Sequence, residues 1–355
     1  MSFTELSLEI TKKIPKEDKK KFGIFFTPQE TINLMITNIK EYLKKGIDIL
    51  EPSCGSCEII SRIDKEFENI NITGIEYNNY IFEKIKKIKF INNVSIINNN
   101  YLEYKYDKKY DIVIGNPPYF VVSKKEYPCI YNNFFSGRPN IFILFIIHSM
   151  QLLKDNGIIS FILPKSFLNC LYYDKTRKYI YENFTILSII ETTAGYIDTE
   201  QKTIIFTFQN KKDYEKNNCS FVLEISNFAI FSTEKNINIM KNLLKNSKTL
   251  ECLGFDTKIG NVVWNQSKNI LTDDKNKTLL VYSSDITNHQ LDIKPYKNRY
   301  KKNYIDKKGF TEPLLVVNRG YGVGKYNLNY CIIDIKKEYL IENHLICVFY
   351  TKKNR

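Results

Sequence analysis

The residues best suited to chemistry in this chain are Asn116-Pro117-Pro118-Tyr119, which follow the apolar run Asp111-Ile-Val-Ile-Gly115. That run reads as a buried strand, so the loop is delivered to the strand's carboxyl end, where α/β sheets hold their ligands. Two prolines fix φ and remove two donors, which leaves the carbonyls of Asn116 and Pro117 as outward-facing acceptors. The Asn116 side chain adds another acceptor and Tyr119 a flat aromatic face. The set suits gripping an exocyclic amine beside a planar base. The same string also serves as a Pro-rich turn, and its neighbours decide between the two readings.

Upstream, Ile47-Asp-Ile-Leu-Glu51 runs into Pro-Ser53-Cys54-Gly55-Ser-Cys57 and then a helical pattern. Backbone N–H groups at such a turn, with a helix N-terminus behind them, bind an anion, and small residues let a ligand approach the main chain. A ligand carboxylate fits there, although a tight βα turn would use the same residues for shape alone. Glu76 ends the next strand, where an acidic side chain accepts both hydroxyls of a ribose. After the third strand comes Asn98-Asn-Asn100-Tyr101, a polar side chain and an aromatic suited to an adenine ring. Phe25-Phe-Thr27-Pro28 reads as a helix entry, with Thr27 as N-cap and Pro28 at the first helical position.

The elements that must position these residues alternate strand and helix across residues 28–210, which predicts an α/β fold with a doubly wound, mainly parallel sheet. Strands are expected at Ile47–Glu51, Ile70–Glu76, Val94–Asn98, Asp111–Gly115 and Gly157–Leu163, and helices at Gln29–Lys44, Glu58–Phe67, Asn79–Lys89 and Ile141–Leu153. Ile186–Glu191 and Thr203–Phe208 look like a closing antiparallel pair. The polar stretch Asn210–Asn218 reads as a linker. From about residue 240 onward the βα rhythm stops, and Thr278–Tyr282, Leu314–Asn318 and Tyr330–Ile335 are strand-like runs between basic loops. The expected organisation is an N-terminal extension over 1–20, a catalytic domain over 21–215 and a smaller, mixed or irregular domain over 216–355.

At 355 residues, with 43% hydrophobic and 14% aromatic residues, the chain has material for two cores. Its net charge of +13 favours a polyanionic partner, although abundant Asn, Ile, Lys and Tyr are also what AT-rich coding produces. Of eight cysteines only Cys54 and Cys57 have metal or redox spacing, and no second pair completes a zinc set. They read as reduced packing residues of an intracellular, cytoplasmic protein. The N-terminus lacks the apolar core of a signal peptide, and Ile141–Ile147 is too short to span a bilayer.

In order, Phe-Thr-Pro, Glu-Pro-Ser-Cys-Gly, Gly-Ile-Glu, Asn-Tyr and Ile-Gly-Asn-Pro-Pro-Tyr, followed by a distinct C-terminal domain, resemble the gamma-group type II DNA adenine-N6 methyltransferases of restriction–modification systems. The likeness covers residues 20–210, and Asn261–Gln266 through Val317–Gly322 resembles a TaqI-type specificity domain. The resemblance implies a Rossmann-like S-adenosylmethionine-dependent methyltransferase sheet and methyl transfer from that cofactor to N6 of an adenine flipped out of double-stranded DNA. Thr27, Glu51, Ser53, Cys54 and Gly55 would hold the cofactor's methionine part. Glu76 would take the ribose, with Tyr77 beside the adenine. Asn100 stands where the family has Asp, Tyr101 where it has Phe, and Cys57 where many members have Gly. Phe145 would pack against the cofactor adenine. Asn116 and Pro117 would accept from the target amine, with Asn116 also touching the cofactor and Pro118 stiffening the loop. Tyr119, Tyr196 and, further upstream, Phe25 would form the target-base pocket.

For DNA, Lys294–Lys308 carries seven Lys or Arg against one Asp, interleaved with tyrosines. Lys294, Lys297, Arg299, Lys301 and Lys302 suit phosphates, or form a solvated basic loop. Arg319, in Asn318-Arg-Gly-Tyr-Gly322, suits a guanine edge. A restriction endonuclease acting on the same site is the implied partner, and the implied state is a monomer, with a dimer as the alternative. A virus-encoded protein would suit the coding bias. With about 20 residues ahead of the first motif, no N-terminal nuclease is expected. The Asn-Pro-Pro-Tyr loop also occurs in RNA base methyltransferases and in enzymes that methylate a release-factor glutamine, and a non-catalytic DNA-binding protein is the remaining class. The basic C-terminal domain favours DNA over the former, and the intact loop argues against the latter.

Overall fold

Ahead of the first strand lie α1 (Glu5–Lys13), α2 (Lys16–Phe22) and α3 (Gln29–Ile39). The βα rhythm then gives β1 (Asp48–Glu51), α4 (Glu58–Glu66), β2 (Asn71–Glu76), α5 (Asn79–Ile85), β3 (Asn93–Asn98), β4 (Tyr110–Gly115), α6 (Ile141–Gln151), β5 (Leu153–Pro164), α7 (Asp174–Asn183), β6 (Thr185–Glu191) and β7 (Thr203–Gln209). The computed structural model describes residues 3–123, 125–197, 199–211, 220–319 and 327–350. The contacts divide the chain into two units, Met1–Leu243 and Leu244–Arg355.

In the first unit, seven strands form one sheet in the order β3-β2-β1-β4-β5-β7-β6. β3, β2, β1, β4 and β5 pair in parallel, and β7 runs antiparallel to both β5 and β6. Parallel strands covered on both faces read as continuous apolar runs, as β4 and β5 do. Alternation along them sorts the two cores. Ile112, Ile114, Ile158 and Ile162 join α1, α3 and α4, whereas Val113, Ile159, Phe161 and Leu163 join α6 and α7. The apolar run Ile141–Ile147 is accordingly part of a helix, α6, whose residues Phe142–Ile147 are buried. Among the described residues no helix is long and apolar enough to cross a membrane.

Two expectations about organisation shift. Residues 1–20 are built into the first unit rather than standing apart from it: Ile10 of α1 is fully buried with α3 and α4. Thr4 and Ser7 both donate to the Glu58 carboxylate at the start of α4, at 2.6 and 2.7 Å. The boundary also falls after residue 243 rather than 215. The hairpin β8 (Val222–Ile225) and β9 (Phe228–Phe231) turns at Ser226-Asn227, both in the left-handed region, and buries Val222, Ala229 and Phe231 in the α6–α7 core. Helix α8 (Glu234–Leu244) follows. Most of the linker expected at 210–218 lies outside the described residues.

The second unit contains β10 (Phe255–Ile259), β11 (Leu271–Thr272), β12 (Thr278–Val281), β13 (Ile286–Thr287), β14 (Gln290–Leu291), β15 (Tyr304–Ile305), β16 (Leu314–Asn318), β17 (Tyr330–Ile333), β18 (Tyr339–Ile341) and β19 (Leu345–Tyr350). They make two four-stranded sheets, β10-β19-β16-β17 and β11-β15-β12-β18, and the β13–β14 hairpin. Both sheets contribute to one core through Val281, Tyr339, Val316 and Ile333. What reads as irregular in sequence is thus largely β structure with very short strands.

Candidate active site

The sheet changes direction between β1 and β4. From β1 the chain steps out to β2 and β3, and from β4 in the opposite sense to β5, so the crevice at the carboxyl ends of β1 and β4 is the topological switch point. Both candidate loops sit there. The Ser53 hydroxyl donates to the Asn116 carbonyl at 3.1 Å and ties the turn after β1 to the loop after β4. That carbonyl is therefore occupied, contrary to its expected outward-facing role. No described residue donates to the Pro117 carbonyl.

Asn116 is gripped from the N-terminal side. Its Nδ2 donates to the Thr27 hydroxyl at 3.1 Å and to the Phe25 carbonyl at 3.4 Å. One correction falls at the helix entry. The N-cap of α3 is Pro28, not Thr27, and no side chain caps it, since the proline side chain offers no acceptor; the Thr27 hydroxyl accepts from Asn116. With both amide protons committed, Oδ1 is the free end of Asn116 and points at Tyr119, whose hydroxyl lies 2.7 Å away and equally close to the Ile162 carbonyl on β5. The Tyr119 ring packs edge-on to Phe142 of α6 at 5.9 Å. Burial holds the Tyr119 phenol well above its ordinary value, with Tyr196 the second cause, so it stays a donor at neutral pH. Phe25 and Tyr196 line one small cleft with Thr11, Ile24, Phe26 and Ile197. Two of the three expected base-pocket aromatics, far apart in sequence, thus share a cleft, and Tyr196 is also near enough to bear on the Tyr119 phenol.

The turn after β1 is held by Cys54 N–H to Ile75 O at 2.9 Å and Cys57 N–H to Cys54 O at 2.7 Å. Gly55 takes φ +51°, and its N–H reaches the Glu76 carboxylate at 2.9 Å; Asn78 N–H reaches the other oxygen at 2.7 Å. Cys57, the N-cap of α4, also adopts the left-handed region, at φ 58°, where a glycine would sit without strain. Burial raises the Glu76 carboxyl to about 7, partly offset by the Asn78 and Gly55 amides. Glu51 is 2% exposed and its Oε2 has no partner among the described residues. Burial holds it well above the carboxylate range, and Cys57, Glu58 and Glu76 add to this. An orphaned buried acceptor facing a small-residue turn is what a ligand ammonium would satisfy.

Other expected cofactor residues are placed differently. Tyr77 is exposed at the mouth of the crevice, whereas Tyr101 is buried with its hydroxyl on Ser149 and its ring 4.7 Å from Phe145, also buried. Asn100 Oδ1 accepts from Leu102 N–H at 3.2 Å, an Asx turn shaping the loop after β3. Asn98, not singled out in the sequence, donates to the Glu76 carbonyl at 2.8 Å and joins β3 to the same corner.

In the second unit the expected phosphate ligands are unequally available. Lys301 is enclosed between Tyr282 and Tyr296, 4.1 and 4.0 Å from the ring centroids. Lys302 pairs with Asp273, and Lys294 with Thr287 and Asp292. Arg299 lies over Tyr300 at 4.6 Å, and Arg319 donates to the Asn343 carbonyl at 2.8 Å. Lys297 is exposed. Gly320-Tyr321-Gly322 lies outside the described residues.

A doubly wound sheet of this order, its last strand pair closed by an antiparallel β7 and its switch point carrying these two loops, is the Rossmann-like fold of S-adenosylmethionine-dependent methyltransferases. The chain belongs to the Eco57I restriction-modification methylase family, whose model matches residues 4–197. It is 36% identical over 181 residues to the modification methylase CviBIII of Paramecium bursaria Chlorella virus NC1A, covering 50% of this chain and 47% of that one. It is 25% identical over 355 residues to the type II methyltransferase M.CvrRI of Paramecium bursaria Chlorella virus XZ-6E, covering 98% and 88% of the two chains. The match to M.AccI of Acinetobacter calcoaceticus is 31% identical and spans 51% of this chain and 35% of that relative. Among solved structures, the methyltransferase subunit of a type I restriction-modification system from Streptococcus thermophilus superposes with a TM-score of 0.45 at 19% identity, over 63% of this chain and 54% of that one.

Proposed function

We propose that the chain is a site-specific DNA methyltransferase acting on N6 of adenine in a short duplex sequence, with S-adenosylmethionine as donor and residues 244–355 as its target-recognition unit. The observation that carries this reading is the acceptor pair Asn116 Oδ1 and Pro117 carbonyl at the switch point, with Tyr119 against Asn116 and Tyr196 near it, and Phe25 sharing a cleft with Tyr196. Bound S-adenosylmethionine supplies an electrophilic sulfonium methyl. Glu51 would take the donor's ammonium and Glu76 its ribose hydroxyls. A flipped adenine would present its amine to Asn116 Oδ1 and Pro117 O, which fix the nitrogen's orientation; positioning of this kind is worth on the order of 7–11 kcal/mol at best. The single Tyr119 phenol proton is shared between that Oδ1 and the Ile162 carbonyl, so base entry would leave it on Ile162 while the amine takes Oδ1, with the Tyr119 ring available to stack. A restriction endonuclease with the same site is the expected functional partner.

Two outcomes follow. Wild-type protein given labelled S-adenosylmethionine and mixed-sequence duplex DNA is expected to yield labelled N6-methyladenine on nucleoside analysis. Label only in RNA or in a release factor would move the substrate while keeping the loop's chemistry. Second, cofactor affinity is expected to rise between pH 6 and 8. Glu76 titrates near 7 in the free protein, above the ordinary 4.5, so near pH 6 it is mostly protonated and accepts poorly from two hydroxyls. Ribose donors favour the ionised form, so tight binding releases a proton. Calorimetric titration at several pH values measures this, and Glu76→Gln should bind more weakly with a flat profile. A wild-type affinity independent of pH would remove Glu76 from the ribose site.

A further inference from the structure

We propose that Gly23 is a positioning residue for the catalytic loop: the bare main chain at the end of α2 is the seat on which Pro118-Tyr119-Phe120 rests. The inference rests on the reading of Asn116–Tyr119 as the amine-gripping loop. Gly23 ends α2 in the left-handed region at φ +64°, its N–H closing on the Lys19 carbonyl. A Cβ built there would stand 2.7 Å from the Tyr119 nitrogen, 2.9 Å from the Pro118 Cβ and 3.2 Å from the Phe120 ring.

These neighbours cannot step aside cheaply. The first is main chain, the second belongs to a ring with fixed φ, and the Tyr119 side chain is pinned by its hydroxyl to Asn116 Oδ1 and the Ile162 carbonyl. A displaced loop must therefore carry the Asn116 acceptor with it. Two residues further on, the same N-terminal segment holds Asn116 from the other side through the Phe25 carbonyl and the Thr27 hydroxyl. Residues 23–27 thus support the loop at both ends. Helix α1 is itself tied to the cofactor turn through Glu58, whose carboxylate takes Thr4 and Ser7, and through Ser7 to Ser56 at 2.7 Å.

Gly23→Ala and Gly23→Asn separate collision from backbone strain. Asn tolerates the left-handed region far better than Ala, but both carry the same Cβ. Both variants are expected to lose on the order of 100-fold in kcat, as a displacement near 1 Å at a reacting group produces, with cofactor affinity within about threefold of wild type. Hydrogen exchange followed by mass spectrometry should show faster uptake at the Tyr119 and Phe120 amides in both, with the cofactor-turn peptide unchanged. Recovery of activity by Asn alone would make Gly23 a requirement of the α2 cap and overturn the proposal, as would unchanged exchange in the loop peptide. If wild-type protein methylates no amine, the functional reading fails, and the exchange measurement still decides whether Gly23 seats the loop.

Discussion

Asn116→Ala is expected to lower kcat by on the order of 10²–10³-fold while leaving cofactor affinity within about threefold, because in the proposed mechanism the side chain that is removed grips the target amine. The three links that place Asn116 make the expectation specific. Its main-chain carbonyl stays with Ser53 in the variant, so the turn after β1 keeps its tie to the loop. Only the amide is lost, and with it the donors to Thr27 and Phe25 and the acceptor now held by Tyr119. Asn116→Asp supplies a second reading of the same site. It retains an acceptor but replaces a donor with a carboxylate beside the Phe25 carbonyl, so partial loss is expected, increasing as pH rises and the carboxylate forms. Single-turnover transfer of labelled methyl to duplex DNA, with cofactor binding measured separately, distinguishes these. A kcat for Asn116→Ala within tenfold of wild type would place the amine-gripping group elsewhere in the crevice.

The sequence exposed this site well where local pattern and function coincide. β4 is an unbroken apolar run because both its faces are covered, and it stops at Gly115 because the loop after it must leave the sheet. The same logic places the ends of β1 and β2 at Glu51 and Glu76. Tyr196 and Phe25 were anticipated in one pocket, although nothing local links them, because the family's motif order supplied what periodicity could not. The unreadable parts are contacts made at long range. Gly23 looks like an ordinary helix-ending glycine in a lysine-rich stretch, and its meaning lies in the Tyr119 nitrogen above it. Thr27 has every local mark of an N-cap, yet its hydroxyl is claimed by Asn116. In residues 244–355 many strands are two to four residues long, too short for alternation to show. There the cations that read as free are often spoken for: Lys301 lies between two tyrosines and Arg319 on a main-chain carbonyl.

Arg177→Ala is expected to cost about 3–5 kcal/mol, the range for breaking a buried charge network, although Arg177 touches no expected substrate. Its side chain is fully buried on α7, yet burial brings it down only to about 10, so it remains charged at neutral pH. Nε donates to the Ala229 carbonyl at 2.6 Å, Nη1 to the Phe167 and Cys170 carbonyls at 2.9 and 2.8 Å, and Nη2 reaches Asp174 at 3.4 Å. Asp174 also accepts from the Ala229 N–H at 2.9 Å. One guanidinium thus joins α7, the β8–β9 hairpin and the turn after β5. Removing it takes the side-chain donor from the Ala229, Phe167 and Cys170 carbonyls, while Asp174 keeps the Ala229 N–H and Lys178. Arg177→Met should also be destabilising, since it restores volume but none of the donors, whereas Arg177→Lys should recover part of the loss. Urea denaturation followed by circular dichroism measures this, and a cost below 1 kcal/mol for Arg177→Ala would mean that water enters and satisfies the carbonyls. The effect is expected to reach the catalytic loop. Phe167 packs on Phe142 at 6.1 Å, and Phe142 is the ring against which Tyr119 lies. Below its unfolding transition, therefore, Arg177→Ala should retain cofactor binding while its methyl transfer falls off at a lower temperature than wild type, because the first packing to loosen is the floor beneath Tyr119.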